Sequence, residues 1–225
     1  MSINSKKKAE VLRYLGYRNQ KIDNITDRLI EDAMDEIGVL AKERYIYKTF
    51  SINRKDDELS LHGSKLILDG NDIKKHLSKS QDCILIAATL GHNVDTKIRY
   101  YEKISMTKAV ILDACATVAI EEICDKICKE IENKLQAENK ALTYRYSPGY
   151  GDLPIHVQND FLLTLDAGKS IGLTASSHSI LIPRKAVTAI VGIIDIEESK
   201  EKRSCMSCNK YDTCIFSRGG NGCGD

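Results

Sequence analysis

The chain has 225 residues, 42% of them hydrophobic, and 33 Lys+Arg against 32 Asp+Glu leave a formal net charge of +1. This is an ordinary globular mixture, long enough to bury a core, and a near-neutral balance supplies no field that draws a protein to nucleic acid or an anionic membrane. No apolar run reaches the length needed to cross a bilayer, and the start, MSINSKKKAEVLRYLGY, has a basic patch without an apolar h-region or cleavage site, so the chain is expected in the cytosol, with no nucleic-acid or membrane partner.

Residues 5–15 and 24–46 read as helices. In the second, Ile25, Leu29, Ile30, Ala33, Met34, Ile37 and Leu40 recur at helical spacing, and Asn24 or Thr26 stands where a cap is needed. YIYKTFSI (45–52) is β-branched and aromatic and reads as a strand. ELSLHGSKLIL (58–68) follows as a hairpin-like segment, and 71–78 as a short helix. CILIAATLG (83–91) is a continuous apolar run closed by glycine, which suits a strand buried on both faces. The strongest signal is a long helix over 106–136, where Val110, Ala114, Val118, Ile123, Ile127 and Ile131 keep the helical period between charges. TYRYS (143–147) reads as a strand entering SPGYGDLP, a stretch with two of the three prolines that cannot be regular structure. A helix over 155–166 and strands over 177–183 and 185–195 complete the set. Together they predict an α+β domain over 1–198, with a twisted antiparallel sheet flanked by long helices and a helical N-terminal part over about 1–48.

Beyond that domain, 199–225 is a Cys-rich tail. Cys205, Cys208, Cys214 and Cys223 run C-x2-C-x5-C-x8-C among glycines that let the chain wrap an ion, a ligand set for a [4Fe–4S] cluster or zinc. The other four cysteines, Cys83, Cys115, Cys124 and Cys128, lie in apolar stretches and read as small hydrophobes of the core. In a reducing compartment none is expected in a structural disulfide. The five histidines show no ligand spacing.

RYSPGYGDLP (145–154) is the candidate ligand loop. Pro148-Gly149 is a turn pair, and Gly149 takes positive φ without steric cost. Arg145 offers a planar fork of donors suited to a carboxylate or phosphate, and Tyr150 a ring face and a hydroxyl. The same residues also make a plain loop with a surface arginine and a packed tyrosine.

Arg-x-x-Pro-Gly-Tyr followed by Pro resembles the ligand loop of the vitamin B12-dependent methionine synthase activation domain family. More of the chain agrees in order: Ile120-Glu121-Glu122 on the long helix ahead, a helix behind, then Gly172-Leu173-Thr174 and Ser179-x-x-Ile182-Pro183-Arg184-Lys185-x-Val187-x-x-Ile190-Val191-Gly192. The pattern looks like the short stand-alone form found in anaerobes. It covers about 80–195 well; over the N-terminal part only EVLRYLGY and a long helix fit. The resemblance implies an S-adenosylmethionine site in which Arg145 and the backbone of Ser147 hold the ligand carboxylate. Gly149 shapes the turn, Tyr150 lies near the reactive end, and Glu121, or its rival Glu122, adds a polar contact. Thr174-Ala175-Ser176 stands where the family carries Thr-Glu-Ser. The function implied is reductive methylation, or reactivation, of cob(II)alamin on a separate cobalamin-dependent methionine synthase or related corrinoid protein. Electrons would come from a donor such as flavodoxin or ferredoxin. The chain would then be a component of a methyltransferase, with cobalamin bound by the partner and no catalytic residue of its own. A second reading stays open: an iron–sulfur or zinc-binding redox adaptor, or an activator of another corrinoid methyltransferase, in which the tail carries the function.

Overall fold

The computed structural model describes residues 5–18, 20–55 and 58–200. Its centre is β3 (Asp82–Thr89), the apolar run of the sequence, which is buried from Cys83 to Thr89. It pairs antiparallel with β1 (Arg44–Lys55) on one side and β7 (Ala186–Asp195) on the other, with Tyr47 and Ala189 both opposite Ile86. β2 (Glu58–Leu61) lies outside β1 and β4 (Lys140–Leu142) outside β7, giving an antiparallel sheet of order β2-β1-β3-β7-β4.

Alternation along β3 sends Ile84, Ile86 and Ala88 to one face of the sheet and Cys83, Leu85 and Ala87 to the other. The first set packs in one core with α1 (Ser5–Tyr14), α2 (Asn24–Leu40), α4 (His92–Ile104) and α5 (Met106–Leu135). The second joins α3 (Asn71–His76), α6 (Gln158–Leu165) and α7 (Ala167–Ile171) in a separate core. With both faces covered, a central strand needs no polar side, which is why the run in β3 does not alternate. The fold is α+β, as expected, with the long helices on one face. At 30 residues α5 is about 45 Å long. It buries Leu112, Cys115, Cys124 and Ile127 against the sheet and turns a charged face outward.

Several elements depart from the sequence reading. α2 stops at Leu40, not 46, because Lys42 already donates its N–H to Leu90 O at 2.8 Å and the chain is turning into β1. Its cap is Asp23, not Asn24 or Thr26; the Asp23 carboxylate accepts the N–H groups of Ile25 and Thr26 at 2.9 Å. The strand expected over 143–147 is instead β4, followed by one bridge from Tyr146 to Ile190. At Thr143 the ladder is half broken: its N–H still donates to Gly192 O at 2.9 Å, but its Oγ1, in place of its backbone carbonyl, accepts the Gly192 N–H at 2.7 Å. The strand over 177–183 shrinks to β6 (Leu181–Ile182) against β5 (Thr174–Ala175), since Ser179 takes φ 62 and bends the chain. Helices α4 and α7 were not read from the sequence. No helix among the described residues is long and apolar enough to cross a membrane.

Candidate functional site

Residues 147–153 form a compact pair of turns. Ser147 O accepts the Tyr150 N–H at 3.0 Å with Pro148 and Gly149 between them, and Gly149 has φ +91, the conformation a Pro-Gly turn of this kind demands. Tyr150 O then accepts the Leu153 N–H at 3.0 Å, and Leu153 O the Gly149 N–H at 2.9 Å. The turns are anchored from both sides. Tyr146 donates its hydroxyl to Tyr150 O at 3.1 Å. The Asp152 carboxylate accepts the N–H groups of Asn71 and Asp72 at 2.6 and 3.0 Å, tying the loop to the start of α3. Gly151, at φ +51, lies against the Tyr146 hydroxyl and the Asp72 carboxylate, where any Cβ would collide. Burial first, then the charges of Asp72 and Asp152, push the Tyr146 phenol up to about 12.

The anchored loop delivers Arg145 to α5. Its guanidinium donates from Nη2 to Glu121 at 2.8 Å and from Nη1 to Asp125 at 2.6 Å, with the Cys128 sulfur 4.0 Å away. Glu121 and Asp125 are one helical turn apart and so share a face. One guanidinium between two carboxylates leaves the cluster at −1. Burial works against the guanidinium charge, but the hydrogen bond to Asp125 and the surrounding acidic groups outweigh it and hold Arg145 above its usual value. Glu122, the rival of Glu121, is engaged elsewhere, accepting from Lys7 of α1 at 2.9 Å.

A groove of about 980 Å³ opens beside this cluster, within the range of small-molecule sites. It runs between α1, the Val118–Glu132 face of α5, the 142–150 segment and residues 179–188. Arg145, Ser147, Tyr150 and Glu121 all line it; Gly149 does not, and packs against Ile155, which does. Tyr150 is half exposed, its ring edge-on to Tyr146 with centroids 6.0 Å apart. The sequence reading missed three features here. Asp125 lies four residues beyond Glu121, a spacing that would have flagged it. Glu10 of α1 lines the far wall. Gln158 and Thr188 bring a buried polar pair, joined at 2.6 Å, from opposite ends of the loop–helix–strand segment.

Among the cysteines expected in the core, Cys83, Cys115 and Cys124 are fully buried, and burial pushes each thiol up to about 12. Cys128 differs: it is only half buried and lines the groove beside Arg145. Cys205, Cys208, Cys214 and Cys223 lie outside the described residues. Among those described, no three His, Cys, Asp or Glu side chains are grouped to hold a metal ion.

No protein-family model matches this sequence, and no curated protein matches it. Solved structures do. The crystal structure of the MetH reactivation domain bound to AdoHcy aligns with a TM-score of 0.60 over 91% of this chain and 72% of that one, at 14% identity. The chain therefore shares the reactivation-domain fold.

Proposed function

We propose that the groove binds S-adenosylmethionine through Arg145, Ser147, Tyr150 and Glu121. In this reading the chain acts as a reactivation module that supports reductive methylation of cob(II)alamin on a separate cobalamin-dependent methionine synthase or related corrinoid protein. The observation that carries it is the Arg145–Glu121–Asp125 cluster on the wall of an open groove, in a fold shared with a domain bound to AdoHcy. The cluster stands at −1. S-adenosylmethionine, with one carboxylate, one ammonium and one sulfonium, carries +1, so charge is balanced on binding. The ligand carboxylate takes over one side of the Arg145 fork, and the side-chain carboxylate it displaces turns to the ligand's cations. A simple anion gains no such exchange.

Bound there, S-adenosylmethionine would give its methyl group to the partner's corrinoid once a separate electron donor had reduced cob(II)alamin to cob(I)alamin, leaving S-adenosylhomocysteine. The contribution of this chain is positioning. The Pro148-Gly149 turn, clamped by Tyr146 and Asp152, sets where Tyr150 and Arg145 stand relative to α5. Neither general acid nor general base is needed.

Titration calorimetry tests the reading. S-adenosylmethionine should bind the native chain, and Arg145→Ala should weaken binding about 100-fold, because the ligand carboxylate then loses the guanidinium fork set between it and α5. Arg145→Lys should fall between, keeping the charge without the fork. Unchanged affinity in Arg145→Ala would overturn the assignment.

A further inference from the structure

The groove has two chemically different halves. Near Arg145 its wall is charged, with Glu10, Arg13, Glu121, Glu122, Asp125 and Glu132. Toward residues 179–188 it is lined by Ile155, Ile180, Leu181, Ala186 and Val187; the one charged side chain there, Arg184, is 3.6 Å from Glu102. In this neutral half, Gln158 is 2% exposed and Thr188 3%, and Gln158 Nε2 donates to Thr188 Oγ1 at 2.6 Å.

A glutamine amide carries two N–H donors and a carbonyl acceptor. Among the described residues its side chain makes only the bond to Thr188. The rest of the amide is left for whatever enters the groove that Gln158 lines. What remains is a donor beside an acceptor in one plane, between apolar side chains. That is the complement of a flat heterocycle with an amino group next to a ring nitrogen. Its place along the groove fits as well. Thr188 is two residues from Ile190 on β7, and Ile190 is bridged to Tyr146, the neighbour of Arg145. By period-2 alternation Thr188 faces the same side of β7 as Ile190, the side covered by α6, whereas Arg145 reaches α5 on the other; the groove that Gln158, Thr188 and Arg145 all line therefore joins the two sides, and an elongated ligand with one charged and one flat end would lie along it.

We propose that Gln158, oriented by Thr188, is the base-reading residue of the groove and selects adenine. The inference rests on the reading of the groove as an S-adenosylmethionine site. On its N7 edge adenine presents the 6-amino donor beside a ring acceptor, which an amide meets with two hydrogen bonds; hypoxanthine presents two acceptors there, so one of the two bonds is lost in either orientation of the amide. Ile155 and Ile180, both exposed at the groove, are placed to cover the ring faces.

The test compares S-adenosylhomocysteine with S-inosylhomocysteine by calorimetry, on the native chain, Gln158→Met and Thr188→Val. The native chain should prefer the adenine compound roughly tenfold or more. Gln158→Met should abolish that preference while leaving the inosine compound nearly unchanged. Thr188→Val, which keeps the shape but frees the amide, should reduce the preference several-fold and provides the readout if Gln158→Met does not fold. Binding of both compounds with equal affinity by the native chain overturns the role of Gln158 while leaving the groove assignment standing. A preference that survives in the folded variants overturns it too. Binding of neither compound removes the groove assignment itself, and the base-reading role with it.

Discussion

Two carboxylates on adjacent turns of α5 meet a guanidinium that arrives from a loop twenty residues further on, and the three side chains stand in different environments. The Arg145 side chain is 25% exposed, Glu121 41% and Asp125 71%. Asp125 is thus the member that swings most freely toward a ligand cation. Asp125→Asn should leave the fold intact, because an ion pair this exposed contributes no more than about 1 kcal/mol. For the same reason it should weaken S-adenosylmethionine by only about fivefold. It should affect S-adenosylhomocysteine less, since that ligand lacks the sulfonium charge. Calorimetry with both ligands at low and high salt measures the difference, and an equal loss for both would show that Asp125 does not sense the sulfonium. At this scale much of the site could be read in advance. The Arg-x-x-Pro-Gly-Tyr loop is local, so its turn and its charged residue are visible in ten letters. The contact of Arg145 with Asp125 is not local. It depends on how β4 and the Thr143 break return the chain to α5, and residue types alone do not encode that return.

Helix α4 shows why one element escaped the sequence. Its buried side chains are Val94, Asp95 and Ile98, so a carboxylate sits where the apolar period should continue. Asp95 is only 2% exposed, and its oxygens accept the backbone N–H groups of Arg184 at 2.5 Å and Lys185 at 3.3 Å. Asp95 is thus the pin between α4 and the entry to β7, directly ahead of Ala186 and Val187 in the groove wall. Asp95→Ala should destabilise the chain by about 3 kcal/mol, since two backbone donors and a buried space lose their partner. Asp95→Asn, which keeps one acceptor oxygen, should recover part of this. Urea unfolding of the two variants decides it, and a loss below about 1 kcal/mol in the alanine variant would mean that the pin is dispensable. The elements that were legible, β3 and α5, have an unbroken apolar pattern. Those that were not owe their form to single polar groups: Asp95 in α4, Thr143 at the end of β4, and Ser179 in its left-handed conformation ahead of β6.

Across the whole molecule, three thiols are sealed in the two cores on opposite faces of the sheet, Cys115 and Cys124 beneath the long helices and Cys83 on the other side. Their burial couples folding to alkaline pH. For Cys115 desolvation is the sole cause, raising the thiol from 9.0 to about 12. The unfolded chain releases this proton near pH 9 while the folded chain holds it to about pH 12, so above pH 9 the unfolded state binds fewer protons and stability falls with rising pH. The contribution is fully present below pH 9 and lost progressively between 9 and 12, at about 1.4 kcal/mol per pH unit for each thiol. Cys115→Ala removes one such term at the expense of a small cavity, which should cost about 1 kcal/mol at pH 7. The alanine variant should therefore start less stable than the native chain, draw level near pH 10 and be the more stable of the two above it. Urea unfolding at pH 7, 9, 10 and 10.5 measures the crossover. A stability difference that stays constant through this range would mean that water reaches Cys115 in the folded chain, and that the seal between α5 and the sheet is looser than its packing indicates.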